Sequence, residues 1–291
     1  MTYHRILLPF SGSDRLIGVL PTALAVCKRF DAHCEVLFVR PEPYQALPYL
    51  GDAAPGVVVK EIVESANKAA DASGSHLAES LAKAIKEAGG ELIEGDVATA
   101  SFSAKLVQLA GDSLEITAER SRLSDLAILV GGEGHPEIVT SAGLSGVMLK
   151  TGRPVLIVPE SSYGKTIGDR AVIAWDGSTE ASNAVIGALP FLQAASSVLI
   201  LNARQLDEDS PRRTTASLSE YLNLCGITHT DKTVEAGKDG IAHTLLNEVK
   251  AANADLLVMG GYGHSRVREF IVGGVTQHFL EHTTVPLLMA H

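Results

Sequence analysis

Four glycines near the end of the chain are spaced in a pattern that suits anion binding. Gly260 and Gly263 are separated by two residues, and nine more lead to Gly273 and its neighbour Gly274. They follow the apolar run Leu256-Leu257-Val258-Met259, which reads as a strand buried on both faces of a parallel sheet, and precede a helical run from Val275 to His282. Glycine allows sharp turns and close approach of a ligand, and a helix start offers unpaired N–H donors at the positive end of its dipole. Two such turns facing each other would cradle phosphate oxygens at the tip of the sheet, where α/β folds bind ligands. The next hydroxyl is that of Thr276. His264, Ser265 and Arg266 stand in the loop between the turns, and arginine offers phosphate several fixed donors. The same residues also fit tight turns without a ligand, with Arg266, Arg268 and Glu269 as a solvated charged face.

A carboxylate enters from another place in the chain. Asp176 follows the apolar run Ala171 to Trp175 and begins the turn Asp176-Gly177-Ser178. It can accept hydrogen bonds from ribose hydroxyls, and it also fits a simple Asp-Gly turn that caps the next helix. Nothing else in the sequence demands rapid chemistry. It has no GxxxxGK[ST] loop, no GxSxG elbow, no HExxH pair and no CxxC pair.

These residues must be held by strands and helices that alternate along the chain. Ile6 to Phe10 reads as a strand leading into the turn Ser11-Gly12-Ser13, followed by a helix over about residues 14 to 30 that contains Pro21. A strand at Glu35 to Val39 precedes a long surface loop from Pro41 to Gly56. Within it, Tyr44 to Pro55 reads as a lid or partner surface, or as a plain insertion. A helix from about Val58 to Ala88 is stopped by Gly89-Gly90, a third strand lies near Leu92 to Val97, and a helix is predicted from Ser103 to Ala110 with extension to Ser121. Strands at Leu126 to Val130 and Pro154 to Val158, with a short helix up to Lys150 between them, complete a βαβαβαβαβ unit. Glu160 to Gly168 reads as a polar linker.

The pattern then starts again. SDLAILVGGEGH at 124 to 135 matches ADLLVMGGYGH at 254 to 264 with one residue of slip, and GRPVLIVP at 152 to 159 matches TVPLLMAH at 284 to 291. This duplication predicts two domains, 1–160 and 169–291.

The glycine spacing and the repeat together resemble the universal stress protein family in a tandem, two-domain form. The resemblance implies an α/β fold of two open parallel sheets, Rossmann-like and similar to the adenine nucleotide alpha hydrolases. It also implies ATP as ligand. In that family an aspartate after the first strand contacts adenosine, a backbone group after the second strand reads adenine, and the glycine motif holds the phosphates. Asp176, Ala203, and Gly260, Gly263 and Gly273 stand at these positions. Gly274 departs from the pattern, since a Ser or Thr normally follows the last glycine. The first half departs further: Ser11 stands where Asp176 does, the loop after Gly134 is two residues shorter and contains Pro136, and Ala142 replaces Gly273. That half is expected to bind ATP weakly or not at all. His135, the counterpart of His264, suggests a structural role for both histidines.

Composition narrows the partners. Against 24 basic residues stand 34 acidic ones, a formal charge of −10, so nucleic acid is not an expected partner. No apolar run reaches the length of a membrane span, and the three cysteines, without metal spacing, suit a reducing cytoplasm. The leading expectation is an ATP-binding stress-response protein acting through an unknown protein partner. It would be at most a slow ATPase, with magnesium bridging the phosphates. The alternatives are a tandem scaffold or adaptor without nucleotide, and a nucleotide-using enzyme such as an adenylating ligase. Because family members pair through their last strands, the resemblance also implies an internal pseudo-dimer and leaves room for a homodimer.

Overall fold

The apolar runs become the strands of one sheet. The computed structural model describes residues 2–10, 14–40, 56–95, 101–135, 138, 141–204, 215–262 and 274–291. In the first half, β1 (Arg5–Phe10), β2 (His33–Arg40), β3 (Glu91–Leu92), β4 (Ser103–Ala110), β5 (Leu126–Val130) and β6 (Val155–Val158) alternate with helices. These are α1 (Leu20–Arg29), α2 (Gly56–Ala88), α3 (Ser113–Ser121) and a short α4 (Ala142–Leu144) that continues into a π-helical turn, Ser145–Leu149. The second half has β7 (Arg170–Ala174), β8 (Ser197–Arg204), β9 (Thr230–Glu235), β10 (Leu256–Gly260) and β11 (Leu287–Ala290), with α5 (Thr179–Ala194), α6 (Ala216–Leu224), α7 (Gly240–Ala251) and α8 (Gly274–His282).

Among the described residues these strands form an 11-stranded sheet in the order β3-β4-β2-β1-β5-β6-β11-β10-β7-β8-β9. Neighbours run parallel within each half. At the seam, Leu287, Leu288 and Met289 of β11 face Ile157, Leu156 and Val155 of β6 in antiparallel register. Because side chains alternate along a strand, the central strands feed two cores. Ile6, Leu8, Leu156, Val258 and Leu288 pack on one face with α1, α2 and α5; Leu7, Ile157, Leu257, Met259 and Met289 pack on the other with α7 and α8. Both cores cross the seam, so the halves share one hydrophobic interior. Corresponding aspartates pin the first strand of each half: Asp125 accepts from the N–H groups of His4 and Arg5, and Asp255 from those of Gly168, Asp169 and Arg170.

Three local expectations need correction. Ser103 to Ala110, predicted helical, is strand β4, paired with β2 at every position from His33↔Ser103 to Arg40↔Ala110. Its Ala, Lys, Leu and Gln residues favour helix, but an eight-residue ladder to a buried neighbour overrides local propensity. The helix begins only after Gly111, where Asp112 accepts the Glu115 N–H at 2.8 Å as N-cap. The helix expected over residues 14 to 30 is divided as well. Asp14–Val19 is a 3₁₀ turn, and α1 starts at Leu20, so Pro21 falls in the first turn where its missing N–H breaks no bond. The segment read as a linker is packed: Gly164 N–H donates to Thr22 Oγ1 at 3.0 Å, Ile167 is buried, and the Arg29 guanidinium donates to the carbonyls of Ile167, Gly168 and Ala194. The Pro-rich stretch from Tyr44 to Pro55 lies outside the described residues.

Candidate functional site

The second half places its candidate residues at the carboxyl ends of three adjacent strands. In the order β10-β7-β8, the chain continues from β7 to β8 on one side and returns to β10 on the other. The crevice at such a reversal is where open α/β sheets bind ligands. Asp176 leaves β7 there. Its Oδ1 accepts the Ser178 N–H at 2.9 Å, Gly177 takes a left-handed φ of 75°, and Ser178 caps α5 by accepting the Ala181 N–H at 3.1 Å. Asp176 is therefore an Asx-turn residue, and this bond fixes the direction in which the carboxylate points.

Gly260, at the end of β10, meets that same turn. A Cβ built on it would lie 2.5 Å from the Ala181 nitrogen and 2.8 Å from the Glu180 carbonyl carbon. Sequence reasoning assigned this glycine to ligand approach, and the packing gives it a second task, the seating of α5 against the sheet. Gly261 lies beneath two thioethers, with Met289 Cε 2.8 Å and Met148 Cε 3.4 Å from the position of a Cβ. Gly274 opens α8, and among the described residues no atom lies within 4 Å of a Cβ built on it. Thr276 is buried, and its Oγ1 accepts the Tyr262 N–H at 3.4 Å, joining the first turn of α8 to the glycine turn. Ala203 sits near the end of β8, half-buried and paired with Val234. The structure thus sets Gly260 against the first turn of α5, the helix into which the Asp176 turn leads, and ties Thr276 to the glycine turn. Gly263, His264, Arg266 and Gly273 lie outside the described residues.

Three residues absent from the sequence reading belong to this edge. Asn202 donates from Nδ2 to the Trp175 carbonyl at 3.0 Å, which binds the end of β8 to the Asp176 turn. A polar residue following Val198 to Leu201 was the available signal. Tyr262 holds a left-handed φ of 67°, and burial pushes its phenol up to about 12. Its ring meets the edge of the His291 ring at 6.4 Å, while His291 Nδ1 lies 3.3 Å from the Gly261 carbonyl. Trp175, the chain's single tryptophan, precedes Asp176 directly, and its buried indole Nε1 has no hydrogen-bond partner among the described residues.

At the corresponding edge of the first half, side chains pack against the glycine turn. A Cβ on Gly131 would fall 2.7 Å from Ile157 Cγ2 and 2.9 Å from Ile138 Cγ1, so the buried Ile138 fills the space beside the turn. The turn's amides are engaged too. Gly132 N–H donates to the Leu280 carbonyl at 2.9 Å and Glu133 N–H to the Thr283 carbonyl at 3.2 Å, both in the second half. His135 is buried, with Nε2 3.0 Å from Glu160 Oε1. Ser11 and Pro136 lie outside the described residues.

The fold is a doubly wound α/β arrangement, and the candidate residues stand at a topological reversal of its sheet. Residues 169–291 match the model of the Universal stress protein family. The whole chain is similar in fold to a universal stress protein from Archaeoglobus fulgidus DSM 4304. The two are 18% identical, the alignment covers 98% of this chain and 94% of that one, and the TM-score is 0.67. It is also similar to a functionally unknown protein from Pseudomonas aeruginosa PAO1, at 15% identity over 98% of this chain and 92% of that one, with a TM-score of 0.58. No curated protein matches the sequence. No helix among the described residues is long and apolar enough to cross a membrane.

Proposed function

We propose that the second half binds an adenine nucleotide, ATP foremost, and that the protein acts in stress response as a nucleotide-controlled regulator in the cytoplasm. The observation that supports this reading is the meeting of the Asp176 turn, Gly260 and the start of α5 at the strand-order reversal, with the Gly274 end of α8 tied in through Thr276 and Tyr262. In this reading the Asp176 carboxylate faces the ribose, the backbone near Ala203 meets the base, and the glycine turns with α8 take the phosphates. Among the described residues no group of three or more His, Cys, Asp or Glu could hold a metal. In this reading a magnesium ion would arrive with the nucleotide, held by its phosphates. The same reading divides the chain into a 1–160 domain without nucleotide and a 169–291 domain with it, a tandem joined as an internal pseudo-dimer across β6 and β11. A further homodimer or a protein partner would use other surfaces.

The test is mass spectrometry of nucleotide released from gently purified protein, joined to ATP titration of the wild type and Asp176→Ala. Trp175, the chain's single tryptophan and the residue before Asp176, gives the titration one emission signal. One ATP per chain, a saturable change in tryptophan emission, and loss of both in the variant are the expected results. No binding at millimolar ATP with magnesium would overturn the reading in favour of the second one, a scaffold or adaptor without nucleotide. The engaged amides of Gly132 and Glu133 favour that second reading for the first half.

A further inference from the structure

Helix α8 is held at both ends, by different halves of the chain. At its start, Thr276 Oγ1 accepts the N–H of Tyr262, inside the second-half glycine turn. At its end the first half supplies the cap, Gly132 N–H to the Leu280 carbonyl and Glu133 N–H to the Thr283 carbonyl, and the connecting segment adds Ser161 Oγ to the Thr284 carbonyl at 3.1 Å. A helix leaves its last carbonyls without partners, and here a turn from elsewhere in the chain takes them. The fit is tight. A Cβ on Gly132, whose φ is 92°, would lie 2.4 Å from the Thr283 carbonyl oxygen and 3.1 Å from Pro159 Cβ. Between the two ends, Phe279 and Leu280 are buried in the core shared across the seam, so α8 cannot shift without repacking it.

We infer that α8 is a relay between the halves, and that the glycine turn of the first half serves as the sensor of its position in place of a second phosphate cradle. The turn that would hold phosphate instead grips the far end of the helix whose near end borders the proposed nucleotide. The consequence is reciprocal: whatever steadies the start of α8 steadies the Gly132 turn, and loosening that turn loosens the Tyr262 turn. From Gly132 and Glu133 the connection continues to His135, bonded to Glu160 beside the seam strand β6. The trigger rests on the nucleotide reading, but the mechanical connection does not.

Hydrogen exchange on the full-length chain separates the two. Gly132→Ala is compared with Gly152→Ala, since Gly152 also has a left-handed φ, 66°, but no atom within 4 Å of a Cβ. Without any nucleotide, Gly132→Ala is expected to speed exchange at the amides of α8 and at Tyr262 by roughly fivefold or more, the effect of losing one or two net hydrogen bonds. Gly152→Ala is expected to leave them unchanged. Thr276→Val, nearly isosteric, is the converse probe and is expected to speed exchange at Gly132 and Glu133; it also serves if Gly132→Ala does not fold. Unchanged exchange at the far end in both directions overturns the relay. Coupled exchange in a protein that fails to bind ATP keeps the relay and removes the nucleotide as its trigger. With ATP bound, slower exchange at Gly132 and Glu133 is the expected result, and unchanged exchange there overturns the relay as a nucleotide sensor.

Discussion

Gly260 stands so close to Ala181 that a methyl group on it would reach within 2.5 Å of the Ala181 backbone nitrogen. The obstacle is the peptide bond between Glu180 and Ala181 in the first turn of α5, so no side-chain rotation relieves it. Gly260→Ala is expected to destabilise the fold by about 1–3 kcal/mol, the usual cost of overpacking. Gly274→Ala meets no atom of the described residues within 4 Å and is expected to stay within about 0.5 kcal/mol of wild type. Urea denaturation of the two variants measures the contrast, and equal losses would refute the assignment of Gly260 to packing.

The Asp255 carboxylate accepts from three consecutive backbone amides, at 3.1 Å, 3.2 Å and 2.8 Å, where the chain enters β7. Asp255→Ala leaves those donors without their acceptor, and about 2 kcal/mol of stability should be lost on the scale of hydrogen bonds to charged groups. Asp255→Asn keeps one acceptor oxygen and should recover part of the loss. Chemical denaturation of both variants checks the order, which fails if Asn is no better than Ala.

The strands were legible in the sequence wherever an apolar run was bounded by turn residues, as at Leu126 to Val130 and Leu256 to Gly260, because burial on both faces leaves no other pattern. The duplicated SDLAILV and ADLLVM segments also announced the paired aspartates, although their task as acceptors for incoming strands required the structure. β4 was not legible. Its helix-forming residues become a strand through pairing with β2, which lies some 70 residues earlier in the chain (Cys34↔Ala104), and no local pattern carries that information. At the candidate site the glycines were visible by spacing. That Gly260 seats α5, and that the amides of Gly132 cap a helix of the other half, are contacts between distant segments and leave no signature nearby.

Glu35, buried within β2, joins two arginines from different elements. Arg120 of α3 donates Nε to Oε1 at 2.6 Å and Nη2 to Oε2 at 2.5 Å, and Arg5 of β1 reaches Oε2 as well. The bond to Glu35 holds the Arg120 guanidinium above its ordinary range. Glu35→Ala would strand both cations, whose side chains are 28% and 33% exposed against 4% for the glutamate. Their partial hydration places the expected loss at about 3 kcal/mol, the lower end for breaking a buried pair. A loss under about 1 kcal/mol in thermal or urea unfolding would mark the cluster as energetically idle.

His33 gives the fold a pH dependence of known sign. Ser103 Oγ donates its proton to the Ser101 carbonyl and lies 2.9 Å from His33 Nδ1, so Nδ1 carries the hydrogen and the buried Nε2 is left without a partner among the described residues. Protonating Nε2 would place an unsatisfied N–H in the interior. Burial accordingly lowers the imidazole from its ordinary 6.5, with Glu35 opposing the shift and Arg5 and Lys105 adding to it. The unfolded chain therefore binds a proton that the folded chain resists: stability is full above pH 6.5 and falls as the pH drops below it, until the folded-state value is passed. His278 on α8 is lowered as well, chiefly by burial and then by His282 and His243, and acts in the same direction. The urea midpoint of the wild type should therefore decline between about pH 7 and pH 5, and His33→Gln should flatten that decline more than His278→Gln does, because His33 is far more deeply buried. An undiminished decline in His33→Gln would assign the pH dependence to other groups.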